Sequence, residues 1–374
     1  SNSGSTKHVN YTDTGSFAIG TIGASTGFSS TSGITTTNGN VSITAGNTLS
    51  LSGAIPISAG TGTVSLTAST GNVDFAGATL TAGAATITAT AGSVLSSGAA
   101  ATDIDTSANN GTITIVAANS IGGAGNPLEV NPGTGSMSFT ATAGDMYVDK
   151  SVGNLLFSKL TTVDQGGAGK TRQFSTTNGS ITIDSYAGFQ ANATDDNVIT
   201  NANGATSNLT ITAASPALTG TVTGTPGKNV VLNVANSINT SANVSITAGG
   251  TISDNSGAGT INGALLTTSS VGGTTLNGAN TVSTLNATNS GSGNISVNNS
   301  SAPMIITGIS QSGGGNAAIT NASGIILNGG DTVTGGNLTL TASGGSITQS
   351  GGVISANLLT TSSAGGTTLN NANT

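Results

Sequence analysis

One short phrase recurs along the chain and limits what it can fold into: a Gly or Asn, then apolar–Ser/Thr–apolar–Thr–Ala. It reads NVSITAG at 40–46, TVSLTAS at 63–69, ATITATAG at 85–92, GTITIVAA at 111–118 and GSMSFTATAG at 135–144. It returns as GSITIDS at 179–185, NLTITAA at 208–214, NVSITAGG at 243–250 and NLTLTASGG at 337–345. Period two sends Val41 and Ile43 to one face of a strand and Ser42 and Thr44 to the other. β-Branched residues suit that conformation, and the Gly and Asn at the borders tolerate the backbone angles of tight corners.

The phrases come at a repeating distance. Ile43, Leu66, Ile87 and Ile113 are 23, 21 and 26 residues apart, and a shorter apolar pair often follows each phrase after a Gly. One such turn cannot bury its apolar face alone, whereas stacked turns align the same positions into inward ladders. No apolar i, i+3, i+4, i+7 pattern supports a helix. The expectation is an all-β parallel β-helix, or solenoid, of roughly 16 coils.

Composition narrows the functional classes. Charged residues make up 5% of the 374, against 35% hydrophobic and 58 Gly, so the chain lacks the high net charge of a disordered segment. Six Lys and Arg give no basic footprint for nucleic acid. No apolar run is long enough to span a bilayer, and the absence of Cys excludes disulfides and thiolate metal sites.

Two stretches break the rhythm. Residues 1–30 read as a loosely patterned lead-in to coils at 31–146. Residues 147–190 read as a loop or hairpin inserted before the coils at 191–374. Four of the six basic residues, Lys150, Lys159, Lys170 and Arg172, fall in this second stretch. Six of the ten aromatics lie between Phe139 and Phe189, Phe174 and Tyr186 among them. Aromatics beside cations can stack on sugar rings and bond their hydroxyls. Lys150, Lys159, Lys170, Arg172, Phe174 and Tyr186 are therefore the candidate ligand-binding residues. The structural alternative is an excursion whose aromatics cover the side of the solenoid.

A longer repeat overlies the short one. LLTTSSVGGTTLNGANT at 265–281 and LLTTSSAGGTTLNNANT at 358–374 agree at 15 of 17 positions, 93 residues apart. The first copy continues and the second ends the chain, so the expectation is a segment of a longer repetitive protein, cut within a repeat. The stretch SIGGAGNPLEVNPGTGSMSFTATAGDMYV at 120–148 and the array at 274–319 resemble the β-strand-repeat exoproteins of bacterial two-partner secretion, the filamentous-haemagglutinin-like passengers. The resemblance covers the chain from about Gly33 onward; the NPNG-type signature of the family's secretion domain has no match. It implies a right-handed parallel β-helix, an outer-membrane transporter as secretion partner and a place at the bacterial cell surface. It also implies an adhesin role toward host or neighbouring cells, with glycans among the possible receptors. Lateral or end-to-end self-association is expected from exposed strand edges.

Some β-helices are polysaccharide lyases or hydrolases, which need paired carboxylates. The candidate pairs are Asp103/Asp105 and Asp195/Asp196. His8 lies far from both in sequence, and Arg172 has no Arg–Ile–Lys phrase around it. Solvated turn positions are the simpler reading of these Asp residues. Gly313–Gly315 lacks the Asp of a calcium-binding nonapeptide, so neither a metal nor a cofactor is expected. The sequence thus reads as a non-enzymatic structural segment of a secreted adhesin. A carbohydrate- or receptor-binding module, a toxin or haemolysin stalk and a polysaccharide-active enzyme are the alternatives.

Overall fold

The structure is a computed structural model, and it describes residues 7–374 except 28, 53–56, 97–101, 166–169, 178, 186, 189–195, 202–208, 212–221 and 226–227. It is all-β, with parallel strands stacked as a solenoid of about 13 turns. The expected count of roughly 16 rested on a spacing near 23. Some turns are far wider: Val9 pairs with Val41, 32 residues on, and Ala85 with Ile113, 28 residues on. The chain divides into two compact units, residues 1–178 with 187–195, and residues 179–186 with 196–374.

In the first unit the recurring phrase forms the five middle strands of a seven-stranded parallel sheet: Val9–Asp13, Val41–Ala45, Thr63–Ala68, Ala84–Ala89, Ile113–Ala117, Met137–Ala141 and Leu160–Gln165. Its register gives each letter of the phrase a fixed role. Ile43, Leu66, Ile87, Ile115, Phe139 and Val163 form one inward column. Ala45, Ala68, Ala89, Ala117 and Ala141 form the next, in register with Asp13 at one end and Gln165 at the other. The partner of Ile87 is Ile115 and not Ile113, which pairs with Ala85. Every aliphatic in these columns is almost fully buried, and each Val, Leu or Ile side chain contributes roughly 1.5–3 kcal/mol.

The two irregular stretches are coil in their described parts. Val9–Asp13 and Phe17–Ile19 pair in parallel with Val41–Ala45 and Leu49–Ser52, so the lead-in already forms a turn. Only Thr21–Ile22 and Thr31–Ser32 depart from it, as an antiparallel pair. The stretch expected as an insertion behaves the same way. Met146–Lys150 pairs with Leu128–Asn131 on one side and Thr171–Thr176 on the other, and Leu160–Gln165 pairs with Met137–Ala141. These strands alternate Met146, Val148, then Arg172, Phe174 toward the interior, which holds them in the stack rather than letting them project.

The second unit stacks Ile181–Ile183, Leu209–Ile211, Val230–Leu232 and Thr251–Ser253 in one parallel series. The series continues through Thr274, Ile295, Ala317, Leu338 and Leu359. Its core edge carries a polar element absent from the sequence expectations: a ladder of buried amides. Asn280 Oδ1 accepts the Ile261 N–H at 2.8 Å, and Asn299 Oδ1 accepts that of Val282 at 2.9 Å. The half-buried Asn373 does the same at the last such position, its Oδ1 accepting the Ile354 N–H at 2.9 Å. The Asn299 amide then donates to Asn321 Oδ1 at 3.0 Å, and that of Asn289 to Gln311 Oε1 at 3.2 Å. Where a corner interrupts the backbone ladder, these amides supply the missing donor and acceptor together. In the same kind of position stands Asp331, whose Oδ1 accepts the Ile309 N–H at 3.0 Å.

Glycine abundance follows from the corners. At Gly272, Gly293, Gly315 and Gly336 the backbones of successive turns touch. A Cβ on Gly293 would come within 3 Å of Gly272, one on Gly315 within 3 Å of Gly293, and one on Gly336 within 3 Å of Gly315. Gly293→Ala is expected to lower stability by about 1–3 kcal/mol by forcing two backbones apart. Gly125→Ala, where a Cβ meets nothing within 4 Å, is expected to be nearly silent. Urea melts of the two variants check this: equal midpoints would rule out corner contact as the reason for these glycines.

Candidate functional site

The third strand stack of the first unit carries an inward column of Ile57, Leu80, Ile104 and Val130. The next position in register is Lys150, followed by Thr176. Lys150 is only 5% exposed, and its ammonium donates to the Val152 carbonyl. Burial pushes its pKa down, opposed by the nearby charges of Asp105 and Asp149. Beside it opens a cleft of about 470 Å³, lined by Lys150, Lys159, Asn131, Met137, Val152 and Leu156 among others. The 131–133 turn shapes one wall: Asn131 Oδ1 accepts the Gly133 N–H at 3.2 Å, with Gly133 at a φ of 62°.

On the outward side of the same strands runs a column of carboxylates. Glu129 pairs with Asp149, and Asp149 with Ser175. The Glu129 N–H donates to Asp103 Oδ2 at 2.9 Å, and Ser96 Oγ donates to Glu129 Oε2 at 3.1 Å. Asp149 is held by Ser175 Oγ at 2.7 Å and Thr177 Oγ1 at 2.6 Å. Burial, and then the hydrogen bond to Glu129, raise the Asp103 pKa to about 9, so near neutral pH Asp103 carries a proton toward its neighbour. A carboxyl whose pKa rises on folding stabilises fully below its unfolded value, and that contribution disappears as pH climbs through the folded value. The melting temperature is therefore expected to fall as pH rises through about 9, and Asp103→Asn to flatten that fall. A variant that melts in parallel with the parent from pH 7 to 10 would contradict the shared proton.

The structure separates the six residues that the sequence groups. Lys150 and Lys159 come together at the cleft. Lys170 is half-buried at the start of Thr171–Thr176 and is not part of the cleft lining. Arg172 and Phe174, each 1% exposed, are core residues and not surface ligands. Arg172 continues the inward column of Leu49, Val73, Val94, Ile121 and Met146. Phe174 packs between Phe139 and Phe157, with ring centroids 6.1 and 5.9 Å away. The aromatics cluster because they fill a wide stretch of core. Tyr186 lies outside the described residues.

The catalytic candidates are similarly dispersed. Asp105 Oδ1 accepts the Ser107 N–H at 2.8 Å and its hydroxyl at 2.6 Å, as a turn-capping carboxylate does. His8 is exposed, and its Nδ1 accepts the Asn40 N–H at 3.0 Å. Asp195 lies outside the described residues, and Asp196 opens the strand Asp196–Asn201. Sequence reasoning missed Asn131, Val152 and Leu156, whose only signal was the NPG turn at 131–133. Among the described residues no group of three or more His, Cys, Asp or Glu is placed to hold a metal ion. Nor is any helix among them long and apolar enough to cross a membrane. Comparison of the chain with protein-family models, characterised proteins and solved structures finds no match.

Proposed function

We propose that this chain is a structural segment of a large secreted bacterial surface protein, a spacer that carries adhesive elements rather than a catalyst. The observation that carries this reading is the register of the five phrase-bearing strands from Val41–Ala45 to Met137–Ala141, which pair in succession without a shift. These strands align inward apolar columns and turn outward Ser and Thr such as Ser42, Ser65, Thr86 and Thr114. Such stacks hold together through neighbour-to-neighbour interfaces, so they can be lengthened without redesign. Export through an outer-membrane transporter and a cell-surface location follow from the resemblance described above.

The test is display on a bacterial surface, with the chain placed between an anchor and an epitope. Removing whole turns should shorten the reach of the epitope and leave surface delivery intact. A reach independent of turn number would refute a spacer. A second reading, a small binding module, is favoured by one feature, the meeting of Lys150 and Lys159 at a single cleft. Loss of cell binding on changing those two lysines, with reach unaltered, would favour the module.

A further inference from the structure

The cleft beside Lys150 has the size of a small-ligand site, since such sites run from about 300 to 1,000 Å³. Its chemistry is not that of a sugar site. Among the described residues no aromatic ring lines it; its apolar walls are Pro132, Met137, Val152 and Leu156. Val152 and Leu156 are 52% and 39% exposed, two of the few large apolar residues exposed to that extent among the described residues. Set into this wall is a lysine at an interior column position. Of its three N–H donors the Lys150 ammonium uses one, on the Val152 carbonyl. The neighbouring Asp149 accepts from Ser175 and Thr177, and Asp105 from Ser107, while both act on Lys150 through their charge. A buried cation with unused donors beside an aliphatic wall favours an anion with an apolar body, the charged hydrogen bonds offsetting the cost of taking its charge out of water.

We propose that this cleft binds a small organic carboxylate with an apolar body, its carboxylate meeting Lys150 and Lys159 and its hydrocarbon lying on Met137, Val152 and Leu156. The assignment is independent of the spacer reading, because a spacer can carry a ligand site in its flank. Asn131 and Asn154 at the cleft are polar neighbours for the carboxylate oxygens that the lysines leave unbonded.

The probe is hexanoate, titrated into the full chain by calorimetry and saturation-transfer NMR. Three comparators accompany it: hexanamide with the same body and no charge, acetate with the charge and almost no body, and galacturonate with the charge on a polar ring. Hexanoate should bind at least about tenfold more tightly than hexanamide, the effect of one charged hydrogen bond. Lys159→Gln should weaken hexanoate by about tenfold, and Leu156→Ser should weaken it while leaving acetate unchanged. Both positions are partly or fully exposed, so both variants should retain the parent circular dichroism, and Lys150→Met serves as the more invasive check. Equal binding of hexanamide and hexanoate would overturn the role of the lysines. Tighter binding of galacturonate than hexanoate would overturn the apolar body and make the site one for acidic sugars. No binding by any of the four would overturn the site altogether, while leaving the reach experiment to decide the spacer.

Discussion

Asp331→Asn is expected to stabilise the protein at pH 8 by about 2–4 kcal/mol and to have little effect at pH 4. Asp331 is fully buried, and burial raises its pKa to about 7, against the stabilising pull of the Ile309 N–H. A carboxyl with a raised folded pKa contributes its full stability below the unfolded value near 4. That contribution erodes as pH rises from there through about 7. The geometry gives the reason. Asp331 Oδ1 has its partner, but Oδ2 is buried with none. Only a proton on Oδ2 gives it the donor character that Asn280, Asn299 and Asn373 bring to the other corners. Asparagine supplies that donor at every pH. Thermal melts across pH 4–8 read the effect directly: a parent and variant separated by the same interval throughout would show that Asp331 does not titrate in the fold.

Asn280→Ala should act in the opposite direction, with a loss of about 3–5 kcal/mol. Its oxygen holds the Ile261 N–H, and its amide donates to the carbonyls of Leu276, Gly278 and Asn298 at 2.9–3.1 Å. The bonds to Ile261, Leu276 and Gly278 are buried, so truncation leaves several polar atoms there without a partner. Asn280→Asp is the informative companion. It keeps the acceptor and loses the donor, and should recover stability only in acid, reproducing at Asn280 the behaviour of Asp331. An alanine variant within about 0.5 kcal/mol of the parent in urea would mean that the ladder is incidental to stability.

Much of the architecture was legible because its signals are short-range. Alternation in VSITA and TVSLTA fixed strands and their faces, and the bordering Gly and Asn marked the corners. Register was harder, because Ile113 and Ile115 are chemically equivalent and share a parity, so only the stack distinguishes them. The clustered cations misled for a different reason. Lys150 and Arg172 were read by residue type, which says surface. Their parity with Met146, Val148 and Phe174 says interior, and the structure follows parity. The amide ladder was hidden by abundance, since a buried Asn280 looks in sequence like any other turn asparagine. The cleft depends on Asn131, Leu156 and Lys159 meeting across turns, which no local pattern encodes.

The two near-identical 17-residue windows carry a geometric consequence. Asn280 and Asn373, 93 residues apart, close the same kind of local turn on Ile261 and Ile354. Yet Leu266 stacks in the column of Val244, Leu285 and Ile306, whereas its counterpart Leu359 stacks in the column of Thr274, Ile295, Ala317 and Leu338. The 93-residue block is therefore not a whole number of windings. A gene that gained or lost one such block by recombination between the two copies would alter length and azimuth together. Every feature on the far side would swing to a different flank of the solenoid, so copy number would set the direction in which a feature points as well as its distance.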